Sequence, residues 1–321
     1  MSTFDYLIGA VAILILAAAI YSVRSLRIIG NKISHLHQTV KKSEQNLGSQ
    51  IQELIGDTFA LRSLMSARES RDLAKAKFIL SLTSHPARFS ALEQLIPSIK
   101  NQILKPTEIH LNLATGDNDK ISPSLRRALR DAKVKIFDVS DLGPGKKLIP
   151  TLKRTKLPII VIDDDLLLPP DLTVQLMALH LEHPDQIIAS RTHRIATDDN
   201  GAIKKFAQWE LEYHGAKSSD PKLLATSGAG TLFPVNSLHP DVTDEKSYRE
   251  LAFHTDDLWW YFHGRRAGTF IRRVPGRRNL EFIDGSQEVG LWSTGNQERN
   301  DKNFVALVAR YGNPLDKSKL R

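Results

Sequence analysis

Three consecutive carboxylates, Asp163, Asp164 and Asp165, follow directly on the apolar β-branched run Ile159 to Ile162 and are closed off by Pro169 and Pro170. Like charges a few ångströms apart raise one another's pKa, so the cluster calls for a cation or a set of donors. A hard divalent ion, Mg²⁺ or Mn²⁺, is the simplest compensation: Mg²⁺ takes one or two carboxylates and leaves its other positions to water and substrate phosphates. The competing reading is a solvated acidic turn, with Asp171 capping the next helix. A second acidic pair, Asp256 and Asp257, stands between Thr255 and the aromatic run Trp259 to Phe262. Acids there cap a helix and complement its dipole, or, beside a pocket, one of them can act as a general base. Gly143 and Gly145 permit close backbone approach to a ligand, and Lys146 or Lys147 could meet a phosphate where a helix begins. The same stretch also reads as a turn with surface lysines. The arginine pairs at 265–266, 272–273 and 277–278 suit phosphate through bidentate bonds, although solvated strands share that composition.

A short continuous apolar run such as Ile159 to Ile162 fits a strand covered on both faces, as in a parallel α/β sheet. Ligands bind such sheets beyond the strand carboxyl ends, which is where the three acids lie. Further strands are expected at Lys77 to Thr83, Glu108 to Leu113, Lys133 to Val139, Ile187 to Ser190 and Thr269 to Val274. They alternate with helical segments, one of them carrying Leu92, Leu95, Ile96 and Ile99, which implies βαβ units and a mainly parallel sheet. The small residues of Thr226 to Pro234 lead into an apolar strand, and they either let a substrate lie against backbone or pack tightly in the core.

At 321 residues, 41% hydrophobic and 25% charged, the chain can bury a core and has room for one large domain plus appendages. It has no cysteine, which excludes disulfides, thiolate metal sites and a cysteine nucleophile, so any metal must sit on Asp, Glu or His. The formal charge of +8 fits nucleic acid, an anionic membrane face or a phosphorylated substrate. Nucleic acid accounts for the charge but not for the acids or for the apolar segment described next.

Tyr6 to Val23 is a run of eighteen uncharged residues, and a helix of that length spans roughly 27 Å, enough to cross a bilayer. No basic residue precedes it, unlike a cleaved signal peptide. Arg24, Arg27, Lys32, Lys41 and Lys42 follow it, which places the body in the cytoplasm by the positive-inside rule. An apolar residue then recurs every seven positions, at Ile33, Val40, Leu47, Leu54 and Leu61, as in one core position of a coiled coil. Its companion row, Leu36, Ser43, Gln50, Asp57 and Leu64, is apolar only at its ends. The expected organisation is a transmembrane anchor over residues 1–27, a helical coiled-coil stalk over 28–75, a catalytic body over 76–305 and a tail over 306–321.

Taken in order, the segments SLTSHPARF, GKKLIPTLK, VIDDDLLLP, ASRTHR, SGAGTLFP and TDDLWW, with Asn296, Asn300 and Asp301, resemble bacterial family-2-like glycosyltransferases of the GT-A fold, of the surface-polysaccharide type. The resemblance covers residues 76–305. It implies a Rossmann-like, mainly parallel nucleotide-sugar-binding sheet flanked by helices. Thr83, Ser84 and Arg88 would cradle the nucleotide, with Lys146, Lys147, Asp163 and Asp164 beside it. The acids would form a DXD motif in which Asp163 and Asp165 hold Mn²⁺ or Mg²⁺ on the diphosphate, and Asp257 or Asp256 would deprotonate the acceptor hydroxyl in an inverting transfer. Two departures stand out: Thr-Asp-Asp replaces the common Glu-Asp, and three acids in a row blur which one ligates. The expected protein is thus a hexosyltransferase-like enzyme tethered to the bacterial inner membrane. It would move a sugar from a nucleotide sugar, a UDP-sugar foremost, to a polysaccharide or lipid-linked acceptor, and would self-associate through its stalk without binding nucleic acid. The alternatives are a metal-dependent nucleotidyltransferase, which lacks a GxxxxGKS/T loop here, and a membrane-anchored coiled-coil scaffold with a basic body that binds lipid or a partner.

Overall fold

The computed structural model describes residues 3–69, 71–216, 218–276, 280–286, 296–316, 318 and 320; for 3–20, 22, 25, 28, 64, 66–69 and 296 it describes backbone alone. The chain divides into two compact units, Met1–Glu53 and Leu54–Arg321. The first is helical: α1 (Thr3–Glu69) runs through it and on into the second unit. Gly30 and Gly48, poor helix formers, do not interrupt α1 and have open space around them. Of the heptad row, Ile33, Val40 and Leu47 are exposed in the first unit and Leu54 and Leu61 in the second. Among the described residues no helix is long and apolar enough to cross a membrane. The expected span over Tyr6 to Val23 falls mostly on residues whose side chains lie outside the described set.

The second unit is a mixed α/β fold. Its strands are β1 (Ile79–Thr83), β2 (Glu108–Ala114), β3 (Val134–Val139), β4 (Ile159–Val161), β5 (Leu166–Leu167), β6 (Ile187–Ala189), β7 (Thr192–Arg194), β8 (Leu223–Ala225), β9 (Thr231–Phe233), β10 (Ile271–Arg273) and β11 (Glu281–Phe282). The central sheet has the order β10-β6-β9-β4-β1-β2-β3. It is parallel except for β9, which lies antiparallel between β4 and β6. All seven expected strands are members. The chain builds β1, β2 and β3 outward in one direction and then returns to place β4 on the other side of β1. That reversal opens a crevice at the carboxyl ends of β1 and β4, the standard ligand position of such sheets.

The continuous apolar run of β4 reflects cover on both faces. Ile160 and Ile162 join a core with Leu80, Leu82 and the helices α3 (Phe89–Lys100), α4 (Pro123–Asp131) and α6 (Leu172–Glu182). Ile159 and Val161 point the other way, into a second core with α7 (Glu245–Leu251), α8 (Asp256–Arg266) and α9 (Asn296–Tyr311). Phe304, Leu307 and Tyr311, at helical spacing on α9, are buried in that second core, so the helix continues past residue 305.

Candidate active site

Lys146 and Lys147 end a 3-10 turn, Gly143–Lys147, that precedes α5 (Ile149–Arg154). A Cβ on Gly145 would lie 2.6 Å from the Tyr248 ring, so only glycine lets this turn pack there. Lys147 is consequently buried, its carbonyl accepting from the Ser81 hydroxyl of β1 at 2.6 Å. Its ammonium reaches Asp163 Oδ1 at 2.5 Å and Asp256 Oδ2 at 3.1 Å. On the other side of the acid cluster, Arg88 pairs with Asp164 at 3.3 Å and with Asp165. Ser84 Oγ donates to Asp164 at 2.5 Å. The three strand-end acids therefore share two protein cations, a compensation that the sequence alone does not reveal.

These contacts set the electrostatics. Burial opposes the charge on Lys147, but Asp163, Asp256 and Asp257 override it and hold the ammonium well above the usual lysine range. Burial likewise works against Arg88, and Asp164 and Asp165 more than offset it. Asp164 is pushed up to about 6 by burial, against the pull of Arg88 and Ser84. Burial, then the adjacent Asp256, raise Asp257 above the ordinary carboxylate range.

The helix acids do not cap α8. Asp257 Oδ1 accepts from Ser227 N at 2.9 Å and Ser227 Oγ at 2.6 Å, both on the turn between β8 and β9. Asp256 Oδ2 accepts from Lys147 and from Trp260 Nε1 at 3.3 Å. Gly228, in the same small-residue turn, passes so close that its Cβ would lie 1.9 Å from Asp163 Oδ2. The backbone closes this junction, with Asp163 N donating to Gly228 O at 3.0 Å. The run of small residues thus serves close packing of the acid cluster itself.

Thr83, Ser84, Arg88, Lys146, Lys147, Asp163, Asp164, Asp165, Asp256 and Asp257 all line one cavity of about 1110 Å³. Several of them make contacts that narrow their roles. Thr83 Oγ1 donates to Asn112 O of β2 at 2.7 Å, and Lys146 pairs with Asp141 at 2.6 Å. Asn300 of the terminal motif lines the cavity, whereas Asp301 accepts from Phe206 N at 2.7 Å and caps the turn Phe206–Gln208. The two arginine pairs among the described residues make structural contacts. Arg265 is buried, donating to Pro314 O and Thr269 O, Arg266 pairs with Asp241, Arg272 donates to Gln186, and buried Arg273 donates to Val274 O. Arg277 and Arg278 lie outside the described residues. Cavity residues that the sequence reading did not assign include His85, Arg191, His193, Glu212 and His254; ASRTHR and the left-handed φ of +68° at His254 are their local signals.

Asp163 and Asp165 are the cavity carboxylates that could meet a hard divalent ion. Four acids, Asp163, Asp164, Asp165 and Asp256, pair with two cations, Arg88 and Lys147, and burial presses Asp164 and Asp257 toward protonation. Among the described residues no three His, Cys, Asp or Glu side chains converge as a closed ligand set. An ion here would take its remaining ligands from water and substrate, as Mg²⁺ commonly does.

No protein-family model matches the chain, and no curated protein matches it. Among solved structures, the S. aureus TarS fragment 1–349 aligns with 64% of this chain at 12% identity and a TM-score of 0.43, and the chain spans 59% of that fragment. The same fragment in complex with UDP aligns over equal shares at 14% identity and a TM-score of 0.41. A 4-diphosphocytidyl-2C-methyl-D-erythritol synthase from Anaerococcus prevotii aligns over 71% of this chain and 100% of its own, at 12% identity and a TM-score of 0.41.

Proposed function

We propose that the protein is a membrane-tethered, metal-dependent glycosyltransferase that moves a sugar from a nucleotide-sugar donor to a polysaccharide or lipid-linked acceptor. The observation that carries this reading is the single cavity at the β1/β4 crevice. It joins an acid cluster, the buried Lys147, the partly buried Arg88 and a further carboxylate of raised basicity. Asp163 and Asp165 would hold the ion, which supplies positive charge to a departing diphosphate. Arg88 and Lys147 hold the acids of that face in place. Asp257, held by two Ser227 donors, is the base: the acceptor oxygen bonds to the anomeric carbon, its proton passes to Asp257, and the electron pair of the broken C–O bond leaves on the diphosphate. A raised carboxylate pKa suits this task, because a base works best with a pKa near the operating pH. The tether rests on the uncharged segment Tyr6 to Val23 and the basic residues after it.

The test is product analysis with the full-length protein and Mn²⁺. Release of nucleoside diphosphate from one of a panel of nucleotide sugars supports transfer. Release of pyrophosphate from a nucleoside triphosphate and a sugar phosphate supports nucleotidyl transfer instead. A folded protein that turns over neither favours the scaffold reading.

A further inference from the structure

One wall of the cavity is built from Arg191, His193 and Glu212. Arg191 Nη2 donates to Glu212 Oε1 at 2.8 Å, and both side chains are partly exposed, at 28% and 41%. Glu212 has a left-handed φ of +51°, an uncommon conformation for a non-glycine residue that is often tied to function. It turns the Glu212 N–H onto His193 Nδ1 at 3.0 Å. An accepting Nδ1 fixes the neutral tautomer with its proton on Nε2. Burial, then Arg191, also hold His193 down to about 4, so the ring stays neutral at physiological pH. Around this trio the cavity is lined by the apolar side chains of Phe206, Leu211 and Leu224. Arg191 and Glu212 also border a smaller cavity of about 60 Å³.

We infer that Arg191, His193 and Glu212 form a sugar-recognition wall that hydrogen-bonds neighbouring ring hydroxyls while Phe206, Leu211 and Leu224 meet the C–H face of the ring. This rests on the transferase reading and assigns the ASRTHR segment a role in it. The chemistry matches the ligand. Vicinal hydroxyls both donate and accept, so they need a carboxylate acceptor beside guanidinium and imidazole donors. The ring also offers apolar C–H surface between them. A phosphate would be repelled by Glu212, and the cations paired with the strand-end acids stand elsewhere. The sugar could belong to the donor or to the acceptor, and the two sources give different results below.

Glu212→Gln removes the carboxylate but leaves the backbone N–H to His193, and it is compared with the wild type once both show the same unfolding midpoint. Calorimetry on the full-length protein compares the nucleoside diphosphate with the matching nucleotide sugar, and transfer kinetics use octyl glucoside and octyl galactoside as acceptors. Loss of a charged hydrogen bond predicts an affinity about tenfold to a hundredfold lower for the sugar-bearing ligand, with diphosphate affinity unchanged. A loss confined to the nucleotide sugar identifies the donor sugar; an unchanged donor with a raised acceptor KM identifies the acceptor. If Glu212→Gln changes neither in a protein that binds nucleotide sugar, or weakens the diphosphate equally, the wall has no such role and the transferase reading stands. If the wild type binds no nucleotide at all, both readings fall together.

Discussion

The buried ammonium of Lys147 lies 2.5 Å from Asp163 Oδ1 and 3.1 Å from Asp256 Oδ2, tying the end of β4 to the start of α8. The two acidic clusters, some ninety residues apart in sequence, are thereby held at one cavity. Lys147→Met would leave buried Asp256 and half-exposed Asp163 without their shared partner. Breaking such a pair costs about 3 kcal/mol when part of it is buried. Denaturant unfolding measures this, and an unchanged midpoint would mean that Lys147 does not hold the junction.

Gly228 is a site where a single methyl reaches the chemistry. In Gly228→Ala the added Cβ would meet Asp163 Oδ2 at 1.9 Å, so Asp163 must move. If Asp163 holds the ion as proposed, moving it should lower metal affinity about tenfold to a hundredfold. Nucleoside diphosphate binding in Mn²⁺ should weaken by that order, while binding without metal changes little.

Asp257→Asn keeps the shape of the side chain and removes its basicity. A general base contributes about 10²- to 10⁴-fold to the rate, so kcat should fall by that order with nucleotide affinity unchanged. A fall in affinity with kcat preserved would place Asp257 in binding instead.

Acid should destabilise the fold through two buried histidines. Burial holds His193 at about 4 and His263 at about 3, against an ordinary value near 6.5. His263 Nδ1 lies 3.1 Å from Arg266 Nη1, which donates to it in the neutral state. Both groups are depressed in the folded state, so their contribution is full above pH 6.5 and is lost as pH falls toward 4 and then 3. At about 1.4 kcal/mol per pKa unit the contribution is about 3 kcal/mol for His193 and about 5 kcal/mol for His263. His263→Phe, which retains packing against Trp259 and Tyr311, should flatten the fall in unfolding free energy over this range.

Much of the frame is legible in the sequence because β4 and its acids announce themselves: an unbroken β-branched run needs cover on both faces, and three charges at its end need a cavity. The helix acids are visible for the same reason, although their partner Ser227 is not. The apolar strand after the small residues of Thr226 to Pro234 is legible as β9, but its antiparallel place between β4 and β6 is set by tertiary pairing. Charge compensation by Arg88 and Lys147 is invisible in the linear order, which points to a metal as the simplest partner. The arginine pairs mislead in the opposite direction: their spacing suits phosphate, but α8 and β10 bury Arg265 and Arg273 against backbone carbonyls.

The most direct test of the central claim is isothermal titration of the full-length protein with a panel of nucleoside diphosphates and nucleotide sugars, with and without Mn²⁺. The account predicts that one nucleotide binds in a metal-dependent way and that Asp165→Asn abolishes the metal dependence. A folded protein that binds none of them in either condition would contradict it.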